Sequence, residues 1–173
     1  TVIEMGGEDS KLLLVRREQD AVTIEDFAMN ALCAAGTGSF LDQQAYRLNL
    51  PVEKIGPLAL QSDAPVRIAG RCTVFAESDM IHKQQMGHRL EDILYGLCQA
   101  LARNYLNNLA LGKELKPPVV FQGGVAANAG MVRAFEETLE MPVLVPEMQA
   151  LTALYEQESM NTLAVARAES YGV

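Results

Sequence analysis

Three strand-type runs come first, before any helical period appears, and a protein opening this way must build a sheet by hairpins. Thr1–Met5 is a short apolar run closed by Gly6-Gly7. Lys11–Arg16 carries Leu12-Leu13-Leu14-Val15, and Ala21–Phe27 alternates with Val22, Ile24 and Phe27 on one side. Glu18-Gln19-Asp20 is the polar turn between the last two, so the three runs are expected to form an antiparallel meander. Helix and strand then alternate. Ser39–Leu48 is helical, and Pro51 and Gly56-Pro57 punctuate a loop. Val66–Ile68 is a short extended piece. Thr73 to Leu111 is helical and divided at Gly87, with an apolar stripe at Leu90, Ile93, Leu94, Leu97, Leu101, Tyr105 and Leu109. Val119–Phe121 is a buried-type strand running into Gly123-Gly124. Asn128–Leu139 is a helix, Pro142–Pro146 a last strand, and Ala150–Ala168 a last helix. The order β-β-β-α-α-β-α-β-α is that of a ribonuclease-H-like half of an actin-like fold: α/β, with a mixed sheet and flanking helices. The 173 residues read as a single domain with a real core. The first residue is not Met, and the chain opens on a core-type strand, so a fragment of a larger chain is expected.

Chemistry concentrates in four short stretches. Gly6-Gly7 and Gly123-Gly124 each close a strand, where glycine lets backbone approach phosphate closely. Glu4, Glu8 and Asp9 beside the first pair are the carboxylates that a divalent cation with phosphate needs, or equally well solvated turn residues. Cys33 is followed by a small-residue loop, Ala34-Ala35-Gly36-Thr37-Gly38, and then by Ser39-x-x-Asp42, a capping signature. Cys72 is followed by Thr73, a plausible cap, and then by a helical run. Two cysteines at two helix mouths point to thiolates holding something that helix N-termini also stabilise. Taken singly, each would be read as a small buried hydrophobe. Cys98 falls beside the Leu94/Leu101 stripe and reads as core. His82 and His88 have no ligand spacing to the cysteines and read as surface residues.

Composition limits the partners. The net charge of −8 argues against nucleic acid and against an anionic membrane surface. No apolar run approaches the roughly 20 residues of a membrane span. Three cysteines without a Cys-x-x-Cys pair suit a reducing cytoplasm better than a disulfide framework.

These motifs resemble those of the BadF/BadG/BcrA/BcrD-type ATPases, the family of 2-hydroxyacyl-CoA dehydratase activators and benzoyl-CoA reductase ATPase subunits. Ile3-Glu4-Met5-Gly6-Gly7-Glu8-Asp9-Ser10-Lys11 is similar to its second phosphate loop. Cys33–Asp42 and Cys72–Ser78 are similar to its cysteine motifs, and Gly123-Gly124-Val125-Ala126-Ala127-Asn128 to its adenosine loop. The resemblance implies an actin-like ATPase that binds ATP with Mg²⁺ and dimerises around one 4Fe-4S cluster. Cys33 and Cys72 would be the two ligands from each subunit, and one low-potential electron would pass to a dehydratase partner. Glu4, Gly6, Gly7, Glu8, Asp9, Gly123, Gly124 and Asn128 would be the nucleotide contacts. Glu4 departs from the Asp of many members, the last 26 residues lack the family's Gly-Ala-rich finish, and its first phosphate loop is not among these residues. The chain would then be the second half of the ATPase unit, inactive alone. The alternative is a sugar kinase or chaperone-like reactivating ATPase of the same fold, with structural cysteines.

Overall fold

A computed structural model describes residues 1–18, 21–30, 34–70 and 72–146. The expected last helix at Ala150–Ala168 and Cys33 lie outside the described residues. The meander forms as read, with the second and third strands longer: β1 Val2–Met5, β2 Ser10–Glu18 and β3 Ala21–Asn30, each antiparallel to the next. β4 (Val119–Gln122) lies parallel to β1, and β5 (Val143–Leu144) lies parallel to β4. The sheet order is β3-β2-β1-β4-β5.

Alternation gives the sheet two unlike faces. Ile3, Met5, Leu12, Val119 and Phe121 are fully buried on one. The helix α4 (Leu90–Leu109) crosses that face, burying the stripe from Ile93 to Leu109, with Leu90 half-buried at its start. The Tyr105 hydroxyl at its far end donates to the Lys11 carbonyl. α5 (Ala129–Leu139) adds Phe135, which meets Tyr105 and Phe121 edge-on at 5.4 and 5.0 Å. The opposite face shows Val22, Ile24, Phe27 and Met29 of β3, 47–67% exposed. A bulge between Leu14 and Val15 brings Val22, Ile24 and Phe27 to one side, facing Arg17, Val15 and Leu13.

Several local readings change. α1 runs Gly38–Arg47 with Thr37 as N-cap, and the Ser39–Asp42 box does not form; the Ser39 hydroxyl bonds the Thr37 hydroxyl at 2.9 Å instead. Thr73 is the first residue inside α3 (Thr73–Gln85), and Cys72 itself occupies the cap. The stretch read as loop around Pro51 and Gly56-Pro57 holds a 3₁₀ turn, Val52–Lys54, and a short helix α2, Ile55–Ala59. Pro57 fits there because the first turn of a helix needs no N–H from it. Asn128 caps α5 rather than starting it. Gly87, at φ +82°, separates α3 from α4 as expected. Val66–Ile68 joins no strand.

That segment lies along α4 instead. Asp92, in the first turn of α4 and 6% exposed, accepts from the Ser62 hydroxyl (2.7 Å), Ala64 N (3.0 Å) and Asp63 N (3.2 Å). Val66 N donates to the Asp92 carbonyl at 3.2 Å. The backbone donor at Ala64 and the Ser62 hydroxyl hold the Asp92 carboxyl below the usual carboxylate range.

Two outcomes follow from this packing. Asp92→Ala should cost about 2 kcal/mol by urea unfolding at neutral pH, since the buried Ser62 hydroxyl and two part-buried backbone donors lose their acceptor. The depressed pKa makes this stabilisation full above the ordinary Asp value of about 3.9, and it is lost as pH falls through the folded value. The gap between wild type and variant must therefore close only on the acid side. Cys98 is fully buried, and burial pushes its thiol up to about 12. Cys98→Ala should cost on the order of 1 kcal/mol, and native Cys98 should resist alkylation at pH 8.

Candidate functional site

The site begins where parallel β1 and β4 end side by side. Parallel strands present their carboxyl ends on the same edge, and ligands of α/β sheets collect there. After β1, Gly6 N donates to the Asp9 carbonyl at 2.9 Å, closing a tight loop over Gly6-Gly7-Glu8-Asp9. After β4, Gly123 turns the chain at φ +94°, and a Cβ there would strike the Met5 backbone. The two glycine pairs are thus neighbours across the strand ends.

A third loop joins them. The first N–H groups of α1 have no partner within their own helix. Gly38 N donates to the Gly6 carbonyl and Ser39 N to the Gly7 carbonyl, both at 2.8 Å. The approach needs glycine. A Cβ on Gly38 would stand 2.8 Å from Val125 Cγ2 and 2.9 Å from the Gly6 carbonyl oxygen. Gly7, Gly38 and the turn Gly124–Ala127 with Asn128 therefore border one cleft of about 360 Å³. Leu41 and Asp42 of α1 and Val52 and Glu53 of the 3₁₀ turn complete its lining.

Of the candidate nucleotide contacts, Gly7, Gly124 and Asn128 line the cleft. Gly6 and Gly123 form the backbone behind it, and Glu4, Glu8 and Asp9 stand off the lining. Asn128 Oδ1 is already engaged, accepting from Met131 N at 3.1 Å. Glu4 and Asp9 share a partner: Lys11 Nζ lies 3.1 Å from each. Asp9 and then Glu4 hold the Lys11 ammonium above its ordinary range. Glu8 is exposed. Sequence reasoning did not single out Lys11, although Lys11 and Glu4 stand opposite in the β1–β2 register. It also missed Leu41, Asp42, Val52 and Glu53 as lining. Asp42 was visible as a capping signature, but nothing around Val52-Glu53 marked them.

Cys72 is a half-buried free thiol in extended backbone at the mouth of α3. Among the described residues, no three His, Cys, Asp or Glu side chains gather as a metal-binding group. His82 and His88 are exposed. No helix among the described residues is long and apolar enough to cross a membrane.

Known proteins match this arrangement. A family model described as the BadF/BadG/BcrA/BcrD ATPase family matches residues 1–153. The 2-hydroxyisocaproyl-CoA dehydratase activator of Clostridioides difficile is 36% identical over 88% of this chain and 56% of its own. The (R)-2-hydroxyglutaryl-CoA dehydratase activating ATPase of Acidaminococcus fermentans is 38% identical, over 83% of this chain and 53% of its own. A solved activator of 2-hydroxyisocaproyl-CoA dehydratase from Clostridium difficile, with bound ADPNP, superposes with a TM-score of 0.76 at 34% identity. That superposition covers 84% of this chain and 53% of the other. The chain spans about half the length of the curated relatives it matches. The mixed sheet with flanking helices agrees with the ribonuclease-H-like class read from the element order.

Gly38→Ala tests whether the three loops meet this tightly. The added methyl must displace backbone rather than a flexible side-chain end, so unfolding in urea should show a loss of about 1–3 kcal/mol. A neutral substitution would mean that α1 does not close on the Gly6-Gly7 loop.

Proposed function

Because the chain belongs to the BadF/BadG/BcrA/BcrD ATPase family, we propose that it supplies one wall of the nucleotide site of an ATP-dependent activator. Its partner would be a 2-hydroxyacyl-CoA dehydratase or a related CoA-substrate reductase. The observation that carries the reading is the convergence of three glycine-bearing loops on one cleft at the carboxyl ends of β1 and β4. In this proposal Gly6 and Gly7 present their loop to the phosphates, and the Gly123–Asn128 turn faces the adenosine. Asp42 and Glu53 on the cleft lining are suited to accept hydrogen bonds from ribose hydroxyls. Glu4 and Asp9 are held by Lys11, so they would reach Mg²⁺ only with the phosphate oxygens as co-ligands. Asn128, whose Oδ1 caps α5, keeps its amide NH₂ to donate.

The second part of the proposal concerns the cysteines. Cys33 and Cys72 would hold a 4Fe-4S cluster, two thiolates from each subunit of a homodimer. When bound, that group would supply the low-potential electron for the dehydratase. What supports this is the matched motif at both cysteines and the setting of Cys72. Its thiol is half-buried rather than packed in the core, and it precedes the free N–H groups of α3, whose dipole favours a thiolate. A reducing, cytoplasmic setting suits the free thiols Cys72 and Cys98. The names borne by the relatives favour this activator role over a sugar kinase of the same fold.

Two measurements test the proposal. Calorimetry with ATP and Mg²⁺ should show weak binding and no appreciable turnover by this chain alone. One wall leaves the γ-phosphate few partners and the site open to water. Tight binding or steady hydrolysis would overturn the half-site reading. Anaerobic reconstitution with ferrous iron and sulfide should give a thiolate-to-iron absorption band. That band should disappear in both Cys33→Ala and Cys72→Ala and persist in Cys98→Ala.

A further inference from the structure

A second and larger depression lies away from the strand-end cleft, between α3 and α4. Phe75, Asp79 and Lys83 line it from α3, at the four-residue spacing that puts side chains on one face. α4 lines it from Ala100 to Asn108, ~12 Å of helix at ~1.5 Å per residue. Arg67 and Ile68, from the segment that runs along α4, complete a groove of about 1140 Å³.

Its charge is the reverse of the chain's. The chain carries −8, yet Arg67, Lys83 and Arg103 line this groove against one carboxylate, Asp79. That carboxylate is already engaged, because its Oδ2 accepts from Ala69 N at 2.8 Å. Among the described residues none of the three cations has an ion-pair partner, whereas Arg16, Arg47, Arg89, Lys113 and Arg133 all do. Arg103 is half-buried, and its Nη2 donates to the Ile68 carbonyl at 3.3 Å. A guanidinium has five N–H donors, so most of its capacity is unspent. Burial, and then the positive charge of Arg67, lower the Arg103 pKa. Two like charges are thus kept together, one of them partly desolvated, with no counter-charge from the described residues. An anion beside them removes that cost and gains charge-assisted hydrogen bonds.

The rest of the lining indicates what carries the anion. Phe75 and Leu111 stand 64% and 82% exposed on it. Pockets for small ligands hold ~300–1,000 Å³ and enclose the ligand, whereas this groove is larger and follows a helix for two turns. A lone phosphate would leave most of it empty. Spaced cations with an exposed aromatic between helices match an interface, where Arg and aromatic side chains anchor a partner.

We propose that the groove between α3 and α4 docks an acidic segment of a partner protein, with carboxylates on Arg67, Arg103 and Lys83 and an apolar side chain against Phe75. The inference depends on neither the nucleotide reading nor the cluster reading. Guanidinium forks accept carboxylates in pairs, which fixes the segment's register. The chain's negative charge repels an acidic partner elsewhere, so the groove also selects the face on which it lands.

The test uses the 173-residue chain, with circular dichroism to confirm that each variant folds. The probe is a fluorescein-labelled peptide of repeated Glu-Glu-Leu, followed by fluorescence anisotropy at low salt, beside a peptide with Gln in place of Glu. The Glu peptide should bind and the Gln peptide should not. In 1 M sodium chloride, where the Debye length is ~3 Å, affinity should fall at least tenfold. Arg67→Gln combined with Lys83→Gln should weaken binding at least tenfold, and Phe75→Ala at least threefold. Arg17→Gln changes the net charge of the chain by one at an exposed site on β2, and should leave affinity unchanged. Arg103→Gln should act like Arg67→Gln. If that half-buried change prevents folding, the Arg67 and Lys83 changes decide the matter. Equal binding of the two peptides, or parent-like affinity in the folded double variant, overturns the proposal. Displacement of the peptide by pyrophosphate together with a neutral Phe75→Ala would reveal a site for simple anions only, and overturns it too. So does a dimer of the chain, seen by sedimentation, that the double variant dissolves, because the occupant would then be a second copy.

Discussion

The donation of Gly38 N and Ser39 N to the Gly6 and Gly7 carbonyls is the contact on which the rest of the site depends. A helix N-terminus must find acceptors for its first N–H groups. Here it finds them in the loop that closes β1, not in a side-chain cap: Thr37 makes no capping bond. The consequence is geometric. α1 can start only where the β1 loop presents two carbonyls in succession, and that edge already holds the β4 loop, because Gly123 lies against the Met5 backbone. Three segments far apart in the chain are thereby brought to one cleft by backbone contacts alone. Side-chain substitution can tune such a cleft but not move it, except at the glycines.

The same contact has a second end. Ser39 and Gly38 lead back through Thr37 to Gly36, which lies close to the side-chain amides of Asn30 and Asn104. Whatever occupies the cleft against Gly7 and Gly38 therefore acts on a segment only a few residues from Cys33. Covalent continuity and two 2.8 Å hydrogen bonds make this a short, stiff connection. In the proposed activator, nucleotide and cluster would be related through this segment. Such coupling requires the two nucleotide states to interact differently with the Gly6-Gly7 carbonyls. The geometry locates where that difference would be felt.

Much of this was legible in the sequence. The meander was, because period-two runs and a polar turn specify hairpins. So was α4, because its stripe holds one face for twenty residues. The glycine pairs and both cysteine motifs were legible as motifs. Their convergence was not, since it is made by backbone groups that carry no sequence label. The caps at Thr37 and Cys72 were misread for a related reason. Propensity ranks side chains that accept a hydrogen bond, but neither residue caps with its side chain: tertiary acceptors hold the start of α1, and Cys72 is a cap by backbone geometry alone. α2 was missed because Pro57 was read as punctuation, although it is tolerated in a first turn. Lys11 was passed over because its partners come from a neighbouring strand and a turn.

Lys11 also bears on how a polyanion is received. A chain of net charge −8 with Asp42 and Glu53 on its cleft is a poor general attractor for phosphate. Of the carboxylates around the Gly6-Gly7 loop, Glu4 and Asp9 share one ammonium, Lys11, and Glu8 is exposed. Lys11 is held in place at its own backbone, since the Tyr105 hydroxyl takes its carbonyl. Lys11 lowers the repulsion at the loop without cancelling it, and Asp42 and Glu53 stand on the cleft lining. In the proposed site the phosphates would lie against the Gly6-Gly7 loop with Lys11 beside it, and sugar hydroxyls where Asp42 and Glu53 can accept from them. That placement would set a direction: phosphates toward β1, the nucleoside toward the Gly124–Asn128 turn.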